Sequence, residues 1–169
     1  MSELLLLRHA KSDWTAAYGR DHDRPLSKRG RKAARSVGLW MGERGLQPDY
    51  VACSSSVRTR ATLERIAQFV DVDVERVEID ERVYLADLPT LLALLSEAPP
   101  SAERVLLIGH APGMEELVVH LTGHALTPDA RGKTYPTCAL ARLRIHGPWE
   151  TLGAAEGELI ELIRPRDLI

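Results

Sequence analysis

Apolar runs bounded by turn residues recur along the chain: LLLL (4–7), DYVAC (49–53), VERVEI (74–79), RVLLIG (104–109), CALARLRI (138–145) and ELIELI (158–163). Between most of them the apolar positions repeat with helical spacing. Residues 27–44 place Ala33, Val37, Trp40 and Met41 on one face, with Ser27 as an N-cap and Gly45 as a stop. A second helix is expected over 56–69, offering Ala61, Leu63, Ile66 and Ala67 for packing. A third begins at PTLLALLSEA with Pro89 in its first turn, and a fourth is PGMEELVVHLTG, ending at Gly123. Strands alternating with helices predict an α/β protein, a three-layer α/β/α sandwich around a mainly parallel central sheet. The unbroken leucines suit a central strand covered on both faces, whereas the alternation in ARLRIH places that strand nearer an edge.

With 169 residues and no repeat or low-complexity linker, a single domain over 1–169 is expected. The hydrophobic fraction of 44% and the charged fraction of 27% are ordinary. A net charge of -2 supplies no global field to gather nucleic acid or anionic lipid, so neither is expected as a partner, and any anion must be held by local arginines. Cys53 and Cys138 make no disulfide framework and suit a reducing, cytoplasmic setting. Glu3 precedes the short apolar run without a basic leader, so neither a signal peptide nor a membrane-spanning segment is expected. The stretch TPDARGKTYPT (127–137) reads as a surface loop, with a mobile lid as the alternative.

The candidate chemistry lies where the apolar runs end. LLLL runs into Arg8 and His9, and DYVAC into SSSVRTRAT, where the serines can cap a helix carrying Arg58 in its first turn. RVLLIG runs into His110 beside Pro112 and Gly113. Ligands of open α/β sheets sit beyond the carboxyl ends of the strands. Three strand ends delivering two arginines and two histidines therefore suggest an electropositive pocket for one phosphoryl group.

RHAKS (8–12), SSSVRTRAT (54–62) and GHAPG (109–113) together resemble the three signature blocks of the histidine phosphatase, or phosphoglycerate mutase-like, superfamily. The short length and the segment DHDRPLSKRG look most like its small SixA-type branch, the protein-phosphohistidine phosphatases. The resemblance implies that His9 is the nucleophile that becomes phosphorylated, and that Arg8, Arg58 and a protonated His110 bind the phosphoryl oxygens. Ala10 stands where the signature has Gly, and Ala111 where many relatives have Asn. IDERVYL (79–85) resembles the block that supplies a leaving-group acid in many relatives, which would make Glu81 that acid.

The expected activity is a metal-independent phosphohydrolase reaction through a phosphohistidine intermediate, without a cofactor. Its substrate would be a phosphohistidine-bearing protein, with a small phosphomonoester as the alternative. A non-catalytic phosphate-binding scaffold is a second alternative. Glu81 either faces the pocket with a raised pKa or pairs with Arg82 or Arg76 outside it. Lys11 and Ser12 would line the entrance, Ser12 donating to phosphate, while Asp13 and Asp23 are further carboxylates suited to loop pairing. Cys53 and Arg58 have CX4R spacing, but CSSSVR lacks the glycines of a phosphate loop. No HxH or HExxH set points to a metal, and His22, His120, His124 and His146 read as surface residues. The oligomeric state has no signal.

Overall fold

The computed structural model describes residues 1–168. Its sheet is built from β1 (Ser2–Arg8), β2 (Tyr50–Ser54), β3 (Glu78–Asp80), β4 (Arg104–Gly109), β5 (Leu140–Ile145) and β6 (Gly157–Ile163), in the order β3-β2-β4-β1-β5-β6. The four strands from β3 to β1 run parallel, and β5 and β6 add antiparallel at the other side. Four helices cover it: α1 (Lys28–Glu43), α2 (Val57–Ile66), α3 (Leu88–Ser96) and α4 (Gly113–Thr122). The expected three-layer α/β/α arrangement is present.

Successive side chains of a strand point to opposite faces, and β1 feeds two cores in this way. Leu4 and Leu6 pack with Leu91, Leu95, Leu117 and Leu121 of α3 and α4. Leu5 and Leu7 pack with Val37, Met41, Leu63 and Ile66 of α1 and α2. Flanked by β4 and β5 and covered on both faces, the leucines are fully buried.

Local chemistry sets the helix ends. Ser27 accepts from the Gly30 amide, Ser56 from Thr59 and Asp87 from Thr90, each satisfying an amide that the first turn leaves free. Gly123 closes α4 in the left-handed region at φ 75°. Gly30 is required by a close approach, because a Cβ there would lie 2.0 Å from the Lys11 carbonyl oxygen. The same carbonyl accepts from the Ser27 amide at 2.9 Å, so α1 starts against the loop that follows β1.

β5 does lie nearer an edge than β1, between it and the edge strand β6. Its alternation arises because Arg142 pairs with Glu3 on β1 at 2.7 Å and with Glu161 on β6 at 3.6 Å, a polar stripe held by neighbours rather than bared by an open edge. Two expectations of element bounds need correction. Of VERVEI only Glu78 and Ile79 join the sheet, in the three-residue edge strand β3, because Asp73 caps a 3-10 turn over Val74–Arg76 first. α2 stops at Ile66, short of Phe69. The 127–137 loop is pinned to the fold: Arg164 donates to the carbonyls of Thr127 and Thr134, and buried Tyr135 donates to the Leu6 carbonyl.

Gly30→Ala should cost about 1–3 kcal/mol, since the methyl meets backbone that cannot swing away. Urea unfolding of the variant measures the loss; unchanged stability would refute the tight seat of α1 on the Lys11 carbonyl.

Candidate active site

The carboxyl ends of β1, β2 and β4 bring Arg8, His9, Arg58 and His110 together, as the strand-end pattern predicts. The rings of His9 and His110 are 5.2 Å apart, and an Arg58 guanidinium nitrogen lies 3.5 Å from Nδ1 of His110. His9 and His110 are buried, at 7% and 4% exposure, and Arg58 at 2%.

Backbone contacts register the His9 loop on both sides. The His9 amide donates to Gly109 and its carbonyl accepts from Cys138, while the Ala10 amide donates to Thr62 Oγ1. Thr62 in turn donates to the Arg58 carbonyl at 2.8 Å, which ties the His9 loop to α2. His9 Nδ1 lies 2.7 Å from the Ala10 carbonyl oxygen. A carbonyl can only accept, so Nδ1 carries the proton and Nε2 keeps its lone pair.

Burial above all, then the fields of Arg58, Arg8 and Arg24, bring the His9 pKa down to about 3, against the bond to Ala10, which favours the charged ring. His110 is likewise brought down to about 3 by burial, then by His9 and Arg58, with Asp21 opposing. Arg58 donates to His110 Nδ1, leaving Nε2–H to donate to Ser54 Oγ at 2.8 Å. Both imidazoles are therefore neutral in the free pocket. For His110 this corrects the expectation of a protonated ring: burial among cations disfavours a further positive charge.

The counter-charge comes from Asp21. Its carboxylate accepts from Arg58 at 3.0 Å, from Arg24 at 2.8 Å and from the Tyr84 hydroxyl, and Arg58 also donates to its carbonyl at 2.8 Å. The Tyr84 hydrogen bond first, then those from Arg24 and Arg58, hold Asp21 far below the usual carboxylate range. Arg8 is anchored differently, with one terminal nitrogen donating to the Tyr135 carbonyl at 2.8 Å. Among the described residues the Nε atoms of Arg8, Arg24 and Arg58 are buried without a hydrogen-bond partner.

Ser12 is buried nearby, and its hydroxyl accepts from Arg24, whose guanidinium stacks 3.5 Å from the Trp14 ring. Glu81 is exposed and makes no ion pair or side-chain hydrogen bond among the described residues; Arg82 pairs with Asp80 and Glu97 instead. The residue of that turn that reaches the site is Tyr84, whose ring lies edge-on, 5.2 Å from His110. Asp23 pairs outward with Arg20, and Asp13 accepts from Thr15. Burial pushes the Cys53 thiol up to about 12, which leaves it a packing residue.

Sequence reasoning missed Asp21, Arg24, Ser54 and Tyr84 as members of the site. The Asp21–Arg24 spacing in DHDR was a readable sign of a local pair. Tyr84 and Ser54 had none. His22, read as a surface residue, sits 2.8 Å from Ser55 Oγ and edge-on to Tyr84.

An imidazole with a free Nε2, set among guanidinium groups at the carboxyl edge of a parallel sheet, suits attack on phosphorus, and the class so defined is the histidine-dependent phosphatases, which are hydrolases. The chain belongs to the histidine phosphatase superfamily (branch 1), whose family model matches residues 4–84. It is similar to a structure from Nakamurella multipartitia assigned as the phosphohistidine phosphatase SixA, with 28% identity, a TM-score of 0.82, and 97% of this chain and 96% of that one covered. A structure from Agrobacterium tumefaciens with the same assignment is 29% identical, with a TM-score of 0.79 over 97% and 99% of the two chains. An uncharacterized chloroplastic protein of Arabidopsis thaliana is 31% identical over 163 residues, 91% of this chain and 72% of its own. No described helix is long and apolar enough to cross a membrane.

The neutral histidines make folding pH-dependent in a defined direction. Between the ordinary value of 6.5 and about 3 the unfolded chain protonates these two rings and the folded one does not. Stability is therefore complete above that window and falls as pH drops through it, by about 1.4 kcal/mol per pH unit for each histidine. Urea unfolding between roughly pH 7 and pH 4.5 should show this slope, and His9→Gln or His110→Gln should remove about one proton from it. A flat profile would mean that the folded rings titrate normally.

Proposed function

We propose that this phosphatase removes the phosphoryl group from phosphohistidine displayed on a protein, through a phosphoenzyme at His9. The observation that carries the substrate class is that, among the described residues, neither carboxyl group at the pocket mouth is placed as an acid. Asp21 is held as an anion by two arginines and Tyr84, and Glu81 stands in solvent. An alkoxide leaving group needs an acid, whereas an imidazole that arrives protonated leaves as a neutral ring. The similarity to the two structures assigned as SixA supports the same reading.

In the first step Nε2 of His9 attacks phosphorus in line, and the bond from phosphorus to the substrate's ring nitrogen breaks as that ring departs. In the second, water attacks the same phosphorus, His9 leaves as the imidazole, and inorganic phosphate is released. Arg8 and Arg58 bind the equatorial oxygens through their guanidinium groups. A phosphoryl dianion beside His110 favours its charged form, so the ring that is neutral in the free pocket takes up a proton at Nδ1, giving up the 3.5 Å contact from Arg58, and donates from there to the bound group. Ser12, held by Arg24, supports the loop on the entrance side.

Rapid quenching with a labelled phosphohistidine protein should place an acid-labile phosphate on His9, and His9→Ala should lower turnover by about a thousandfold or more. Label found on another residue would reject the assignment of the nucleophile. Phosphate binding without turnover would favour the scaffold reading.

Glu81→Gln should change kcat/KM for phosphohistidine less than about twofold. A wild-type preference for a phosphomonoester that Glu81→Gln abolishes would overturn the substrate assignment.

A further inference from the structure

A cleft of about 370 Å³ lined in part by Lys11, close in sequence to His9, is not used by the proposed reaction. Seven of its lining residues are lysine or arginine, against one acid, Asp129, in a chain whose net charge is -2. Arg29 and Lys32 come from α1, Arg131 and Lys133 from the 127–137 loop. Arg164 and Arg166 come from the end of β6 and the turn after it. None of these cations, nor Lys11, has an ion-pair partner within 4.0 Å among the described residues. Asp129 is spent on its own loop, accepting from the Arg131 and Lys133 amides. Ala33, Pro136 and Pro165 give the cleft an apolar floor beneath the charges.

Like charges gathered on three separate elements repel one another, and a fold under no other demand disperses them or interleaves acids. The cleft also shares backbone with the active site. Lys11 lines it two residues after His9, and Pro136 and Thr137 line it next to Cys138, whose amide donates to the His9 carbonyl at 2.9 Å. A chain presenting its phosphohistidine to His9 and leaving across Lys11 would enter the cleft.

We infer that this cleft docks an acidic segment of the substrate protein, its carboxylates meeting the α1, loop and C-terminal cations. The inference rests on the phosphohistidine-protein reading and deepens it by naming the chemistry of the partner. Arginine forks accept carboxylates in pairs, and the apolar floor receives the methylene stems of glutamate. Docking of this kind acts on encounter and on KM, falls with salt, and leaves the chemical step alone.

The test uses a labelled, unphosphorylated oligoglutamate peptide and an oligoglutamine peptide of equal length, with fluorescence anisotropy as the readout. The wild-type protein should bind only the acidic peptide, more weakly as salt rises. Arg29→Glu with Lys32→Glu, both exposed positions remote from the histidines in sequence, should weaken that binding roughly tenfold or more. The same double variant should raise KM for a glutamate-flanked phosphohistidine peptide by a similar factor, leaving kcat and the turnover of free phosphohistidine unchanged. Equal binding of both peptides, or acidic binding untouched by charge reversal, would overturn the inference. Tripolyphosphate bound at the cleft without measurable oligoglutamate binding would overturn it in favour of a small anion. The peptide carries no phosphate, so a protein that binds it through the cleft but does not hydrolyse phosphohistidine refutes the proposed activity alone.

Discussion

Burying two guanidinium groups beside a pair of imidazoles is the electrostatic demand that organises this pocket, and the carboxylate of Asp21 answers it. Arg58 and Arg24 are almost fully buried, where an unpaired cation costs several kcal/mol. Asp21 reaches both from a half-exposed position, and Tyr84 holds it there. The balance remains positive, because Arg8 leans on a carbonyl rather than a carboxylate. The imidazoles respond by staying neutral, and in the proposed reaction a phosphoryl dianion completes the charge balance.

Placement of these groups depends on the sheet. β1 is gripped on both sides and covered on both faces, so Arg8 and His9 leave the end of a strand held on every side. The Thr62 hydroxyl, which accepts from Ala10 and donates to the Arg58 carbonyl, fixes the first strand end to the helix after the second. His9 and Arg58 thus share one frame, which is what the proposed in-line transfer requires.

Much of this was legible because it is local. An unbroken leucine run, serine caps before α1 and α2, and a glycine stop after α4 each follow from a few neighbouring residues. The four strand-end residues could be grouped because strands alternating with helices place parallel carboxyl ends on one side. What could not be read assembles across the fold: Asp21, Tyr84 and Ser54 come from three separate segments and meet only once the sheet has formed. Glu81 shows the opposite limit. Its block matched a pattern, but the Asp80-capped 3-10 turn sends Tyr84 inward and leaves Glu81 in water. Alternation in β5 placed it nearer an edge than β1, and its polar positions are filled by cross-strand ion pairs with Glu3 and Glu161.

Both pocket arginines are tethered at the tips of their guanidinium forks, Arg58 through both terminal nitrogens to Asp21 and Arg8 through one to Tyr135, with the inner Nε–H left over. A planar group with several fixed donors can be moored at one end and offer the other. A lysine has a single nitrogen and would have to choose between mooring and ligand. A lysine at position 8 or 58 would therefore keep the charge and lose one of the two contacts, so these positions call for the geometry of the donor rather than its sign alone.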